Sequence, residues 1–191
     1  MKRQQIIDES LHLFANHGYE NTSLAMIADN VGIKKPSLYN HFKNKEAIFM
    51  AVLDDVAKRE VEVLKHEVTT YEGNDIEHQL TTLYKKYLAH MSSSTEGLFF
   101  KRVTFFPPDN FEGEIKRVFL LVEEYLTSVL EPIIERGKRE DVLRDLPTDT
   151  MTSAFYTLID GLFLEENFYP EELFEKRKEA SWSIFWLGIQ A

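Results

Sequence analysis

Residues 27–42 read IADNVGIKKPSLYNHF. Ile27, Ala28 and Val31 continue an apolar series begun at Leu24, spaced i, i+3, i+4, i+7, which is one face of an α-helix. Gly32 stands where that helix should stop. Pro36 then opens another, because proline's fixed φ and missing N–H are tolerated in a first turn. Leu38 and Phe42 give the new helix a buried face. Two short helices around a glycine-containing turn are the sequence form of a helix-turn-helix. Thr22–Asn30 is the supporting helix, Val31-Gly32-Ile33 the turn, and Pro36–Phe42 the recognition helix.

Outward from this stretch the pattern stays helical. Ile7, Leu11 and Phe14 mark a first amphipathic helix that should end at Gly18, and Thr22 or Ser23 suits the N-cap of the second. Asn44 caps a long fourth helix, with Ile48, Val52, Asp55 and Val56 at helical spacing, running to about Tyr71 before Glu72-Gly73-Asn74 breaks it. Further helices are expected near 75–91, 96–106, 111–139, 148–166 and 171–189, separated by Ser92-Ser93-Ser94, Pro107-Pro108, Leu146-Pro147 and Pro170. No alternating strand pattern, repeat or low-complexity tract interrupts them. The expected fold is all-α, with a helix-turn-helix domain at 1–48 joined by the long helix to a second helical domain at 49–191.

Charge divides the chain in the same place. Over 191 residues the formal net charge is -10, yet residues 1–48 hold six Lys or Arg against five acids, leaving a net of -11 on the remainder. The body repels polyphosphate, and the first quarter alone can approach it. With Leu38 and Phe42 inward, Pro36 and Asn40 point almost opposite, with Ser37, Tyr39 and His41 on the flanks. Asn40 can contact an adenine edge bidentately and Pro36 can meet a thymine methyl. Lys34, Lys35 and Lys45 can neutralise phosphates, while Thr22, Ser37, Tyr39 and His41 can donate to phosphate oxygens. The expected partner is a double-stranded DNA operator.

Gly18-Tyr19, Thr22-Ser23, Ile27-Ala28, Val31-Gly32-Ile33 and Leu38-Tyr39-Asn40-His41-Phe42-Lys43-Asn44-Lys45-Glu46 resemble the N-terminal signature of the TetR family of transcriptional regulators, over roughly residues 3–50. Lysines at both 34 and 35 depart from the small or polar residues more usual there. The resemblance implies a homodimeric repressor whose C-terminal helices bind a small molecule and release DNA. The alternative is a DNA-binding regulator controlled by a protein partner.

EGLFFKRVTFFPP, residues 96–108, surrounds one short helix with phenylalanines. These rings are either plain core or the lining of an apolar cavity. In the second case Phe99 and Phe106 would join Tyr84, Tyr87, Met91, Phe119, Tyr125, Phe155 and Tyr156 around a hydrophobic or amphipathic effector. Arg102 would either orient an anionic group of that effector or pair with a surface acid. Gly161, mid-helix, costs about 1 kcal/mol against alanine, which suggests a close helix approach. With Trp182, Phe185 and Trp186 it suits a two-fold four-helix dimer interface, the alternative being packing within one chain.

The chemistry of catalysis is sparse. There is no cysteine, metalloprotease HExxH, calcium loop or glycine-rich phosphate loop. His66, His78 and His90 recur at equal intervals, but one helix would hold the last two about 18 Å apart, so neither metal nor cofactor is expected. Apolar runs are too short to span a bilayer and no signal peptide is evident, so a non-enzymatic, cytoplasmic protein without a membrane partner is expected.

Overall fold

The computed structural model describes residues 2–70 and 75–191, the side chains of 67–70 excepted. Among these residues the regular elements are helices: α1 Lys2–His17, α2 Leu24–Val31, α3 Lys35–Leu38, α4 Lys45–Thr70, α5 Ile76–Ser93, α6 Thr95–Phe105, α7 Glu112–Arg139, α8 Thr148–Glu165 and α9 Glu171–Ile189. One isolated bridge pairs Leu143 with Gln190. The expected all-α class therefore stands, with helix ends close to those expected from the sequence. The break assigned to Glu72-Gly73-Asn74 lies outside the described residues. Gly18 and Gly32 take φ of 82° and 71°, the left-handed conformation that terminates α1 and α2.

The recognition helix is shorter than the sequence suggested. Regular α-helix stops at Leu38, and the chain continues in tight turns, with Asn40 N–H bonded to the Ser37 carbonyl and the N–H groups of His41 and Phe42 bonded to that of Leu38. Asn44 accepts from Ala47 N–H at 2.9 Å to cap α4, so the backbone must leave helical geometry before residue 44.

Two compact units form, one from residues up to Glu62 with Ser93–Glu123, the other from Val63–Ser92 with Glu124–Ala191. The first is centred on Phe49 of α4, which is fully buried. Its ring lies 5.4 Å from Phe14, 5.0 Å from Tyr19, 5.9 Å from Phe99 and 4.6 Å from Phe111, centroid to centroid. Tilted and edge-on geometries of this kind add about 0.5–1.5 kcal/mol per pair beyond burial. This cluster is why the compact unit holding the helix-turn-helix reaches beyond residue 48 and takes in α6 and the start of α7. Arg59 reinforces it by bonding Asp8 of α1, Asp55 of α4 and Glu96 of α6.

The second unit is centred on Trp182 of α9. Tyr84 stacks on it at 4.7 Å and 22°, while Phe155 and Phe185 pack at 6.4 and 5.5 Å. The Tyr84 hydroxyl donates to the Lys178 carbonyl at 3.0 Å. Burial first, and Glu175 second, push that phenol well above its ordinary pKa, so it stays a neutral donor.

Replacing the central ring should have the largest cost in the first unit. Phe49→Ala is expected to destabilise the protein by about 3–5 kcal/mol, read as a fall in the urea midpoint of unfolding.

Candidate nucleic-acid interface

Local chemistry fixes the pair of short helices. Ser23 caps α2, its hydroxyl oxygen accepting from Met26 N–H at 3.2 Å. At the other end Gly32 N–H reaches the Asp29 carbonyl and Ile33 N–H that of Ala28, closing the helix and turning the chain. Lys34 is extended, and Pro36 falls in the first turn of α3. Ile27, Ala28, Val31, Leu38 and Phe42 are buried, so α3 is seated on α2 through its apolar side.

The opposite side faces solvent. Lys34, Lys35, Pro36, Asn40 and His41 are exposed, Tyr39 is 54% exposed, and Ser37 is half-buried. These seven residues therefore share one outward surface. Among the described residues no acid lies within ion-pair distance of Lys34, Lys35 or neighbouring Lys43, so their charge is open to an external anion. An exposed strip of cations interleaved with an amide, an imidazole and a phenol can meet phosphates and base edges together.

Two of the expected contacts are placed differently. Thr22 is only 1% exposed and donates its hydroxyl to the Gly18 carbonyl at 2.8 Å, which makes it a brace of the α1–α2 turn instead of an outward donor. Lys45 is half-buried, donates from Nζ to the Tyr19 carbonyl at 2.8 Å, and sits 4.0 Å over the Tyr19 ring. It ties the start of α4 to the turn that precedes α2. The Tyr19 phenol is pushed up to about 12, chiefly by burial and then by the Glu46 carboxylate, so it remains neutral.

Arg102 was read from sequence as an effector anchor or a partner for a surface acid. It donates instead from Nε to the Ala15 carbonyl at 2.8 Å and from Nη2 to that of Asn16 at 3.0 Å, satisfying the C-terminal end of α1. With Phe106, 77% exposed, it borders a cleft of about 290 Å³ that also includes Phe14, His17, Tyr19 and Phe49. Phe99 is buried against Phe49, and Phe119 is half-buried on α7.

The remaining effector candidates fall in the second unit. Tyr84 and Phe155 are buried against Trp182, Tyr87 and Met91 are buried on α5, and Tyr125 and Tyr156 are half-buried. Tyr156 and Thr127 share a hydroxyl–hydroxyl bond, and Lys65 lies over Tyr125. Of the expected interface residues, Trp182 is in the core of this unit, while Phe185, Trp186 and Gly161 are half-buried. Leu164, Ile184 and Leu187 on the same two helices are exposed large apolar residues that the sequence analysis did not single out. Among the described residues no group of three or more metal-ligating side chains occurs, and no helix is long and apolar enough to cross a membrane.

Residues 6–52 match the family model described as bacterial regulatory proteins, tetR family. The HTH-type transcriptional repressor ComR of Escherichia coli (strain K12) is 40% identical over 83 residues, which are 43% of this chain and 39% of ComR. The biofilm operon icaADBC negative transcriptional regulator IcaR of Staphylococcus epidermidis is 47% identical over 47 residues, 25% of each chain. The chain thus spans less than half the length of these relatives. A TetR transcription regulator from Haloarcula marismortui aligns over 100% of this chain and 98% of its own with a TM-score of 0.81, at 21% identity.

The buried Thr22 hydroxyl makes a direct test of its role. Thr22→Val should cost about 1 kcal/mol in urea unfolding by leaving the Gly18 carbonyl unpaired, and should leave the salt dependence of DNA binding unchanged.

Proposed function

Because its N-terminal domain belongs to the TetR family of bacterial regulatory proteins and the chain has that family's fold, we propose that this protein is a DNA-binding transcriptional repressor. The observation that carries the reading is the outward strip from Lys34 to His41, basic and without acid partners on a chain of net charge -10. In this reading Lys34 and Lys35 neutralise phosphates, Ser37, Tyr39 and His41 donate to phosphate oxygens, and Asn40 and Pro36 meet base edges. Lys45 contributes charge while holding the start of α4. The acidic remainder repels DNA and confines contact to this strip.

A second copy of the chain completes the reader. Two recognition elements one helical turn of DNA apart would bind a palindromic operator. The proposed contact is α8 with α9. Gly161 supports it, because among the described residues a Cβ there would meet nothing within 4 Å beyond the adjoining backbone of its own helix, so the close approach its glycine allows is not used by another element of the chain. Leu164 lies one turn further along α8, and Ile184 and Leu187 are 70% and 54% exposed on α9.

Release from the operator is proposed to follow binding of a small hydrophobic or amphipathic molecule in the helical body. The aromatic wealth of α5, α7 and α8 supports it, with Tyr87, Met91, Tyr125 and Tyr156 the residues not stacked on Trp182. Such an effector acts only if it prefers the non-binding state, with coupling of typically about 1–3 kcal/mol. The near-complete burial of Tyr84, Phe99 and Phe155 supports reading these three rings as core, which leaves control by a protein partner as the alternative. A rise in melting temperature with a compound that also releases DNA decides for the effector.

Two outcomes are expected. On an operator selected from random duplexes, binding should weaken steeply with salt and Asn40→Ala should cost about 1–3 kcal/mol at one base position, whereas equal binding to scrambled DNA would end the reading. Ile184→Glu combined with Leu187→Glu should turn a dimer into a monomer in light scattering at micromolar concentration; a persistent dimer places the interface elsewhere.

A further inference from the structure

Arg3, in the first turn of α1, lies far in sequence from the recognition element but beside it in space. Its guanidinium carbon is 4.9 Å from the centroid of the Phe42 ring. Phe42 is itself only 6% exposed, anchored by the packing that seats α3, so the ring is a fixed platform. A cation over an aromatic face is attracted by the ring quadrupole, and a guanidinium engaged in this way keeps N–H donors free for a further partner. The cation is thus set at the trailing end of the recognition element, where exposed His41 and Lys43 flank Phe42 in the chain.

The first carboxylate of α1 is committed elsewhere. Asp8, further along α1, and Asp55 of α4 are both engaged by Arg59. Gln4, the next residue after Arg3, gives its amide to the same two carboxylates, at 3.2 Å to Asp8 and 3.1 Å to Asp55. Among the described residues Arg3 has no carboxylate within ion-pair distance. Arg3 remains exposed with its charge open.

Resting on the DNA-binding reading above, we infer that Arg3 is a further DNA-backbone contact, a phosphate clamp pre-set by Phe42 beside the recognition element. Arginine suits this role because its planar fork matches phosphate oxygens, and the ring removes much of the rotamer freedom that an exposed arginine would otherwise lose on binding. Two surfaces from separate segments, Arg3 of α1 and Lys34 to Lys43, then grip one stretch of duplex. The contact carries no base preference; it adds affinity and fixes how the recognition element is presented.

The test uses the full chain, free of any N-terminal tag, on a duplex selected from random DNA by the wild type. Affinity is measured against salt for wild type, Arg3→Ala and Arg3→Lys. Arg3→Ala should reduce the magnitude of the log–log salt slope by about 0.9 per protomer, with the same base preference and the same urea midpoint. Arg3→Lys should restore the slope, since a lysine still neutralises the phosphate. An unchanged slope in Arg3→Ala overturns the inference while leaving the DNA-binding reading intact. So does a changed base preference or a lowered urea midpoint without loss of slope, which would make Arg3 a prop for Phe42. Absence of any DNA binding by the wild type removes the DNA-binding reading, and this inference with it.

Discussion

Five aromatic rings decide how the first compact unit is assembled. Phe49 is the shared member, touching Phe14 of α1, Tyr19 of the following turn, Phe99 of α6 and Phe111 ahead of α7. A helix-turn-helix of two short helices buries too little apolar surface to hold its own geometry. Its supports, α1 and α4, are fixed instead by a core that draws in a helix from the later part of the chain. The position of the helix-turn-helix thus depends on rings that lie in the core beside it.

Electrostatics then sorts the surface of this unit. Arg59 gathers Asp8, Asp55 and Glu96, a cluster with more negative than positive charge whose exposed members contribute little stability individually. Among the described residues Arg3, Lys34, Lys35 and Lys43 have no carboxylate within ion-pair distance. A chain of net charge -10 can therefore present a locally cationic face.

The helix ends and the helix-turn-helix were legible because their signals are local. Gly18, Gly32, Ser23, Asn44 and Pro36 each act on backbone within four residues, and the structure uses each in the expected way. The outward residues of the recognition element were legible for the same reason, since Leu38 and Phe42 fix the opposite face. Partners distant in sequence were not. Arg102 meets the carbonyl of Ala15, 87 positions away, and nothing in EGLFFKRVTFFPP distinguishes that from a ligand contact. Thr22 presented two compatible roles until Gly18 turned its carbonyl toward the hydroxyl. On α9 the run Trp182-Ser183-Ile184-Phe185-Trp186-Leu187 is apolar around most of its circumference. Spacing could not say that Trp182 faces its own core while Ile184 faces out.

Helix α6 is the element through which these local facts join. Near its start Glu96 is bound to Arg59 of α4, which also holds Asp8 of α1, and near its end Arg102 holds the last carbonyls of α1, so α6 is tied to α1 once through Arg59 and once directly. Between them Phe99 is locked against Phe49. α1 in turn carries Arg3 over Phe42, directly behind the residues that face outward from the recognition element. A rigid shift of α6 must either break the Arg102 bonds to α1 or carry α1 with it. In the second case Arg3 moves against Phe42 and the cationic strip changes shape. Close-packed rings do not stretch to absorb such a shift, so a displacement of α6 is passed to its packed neighbours in this unit.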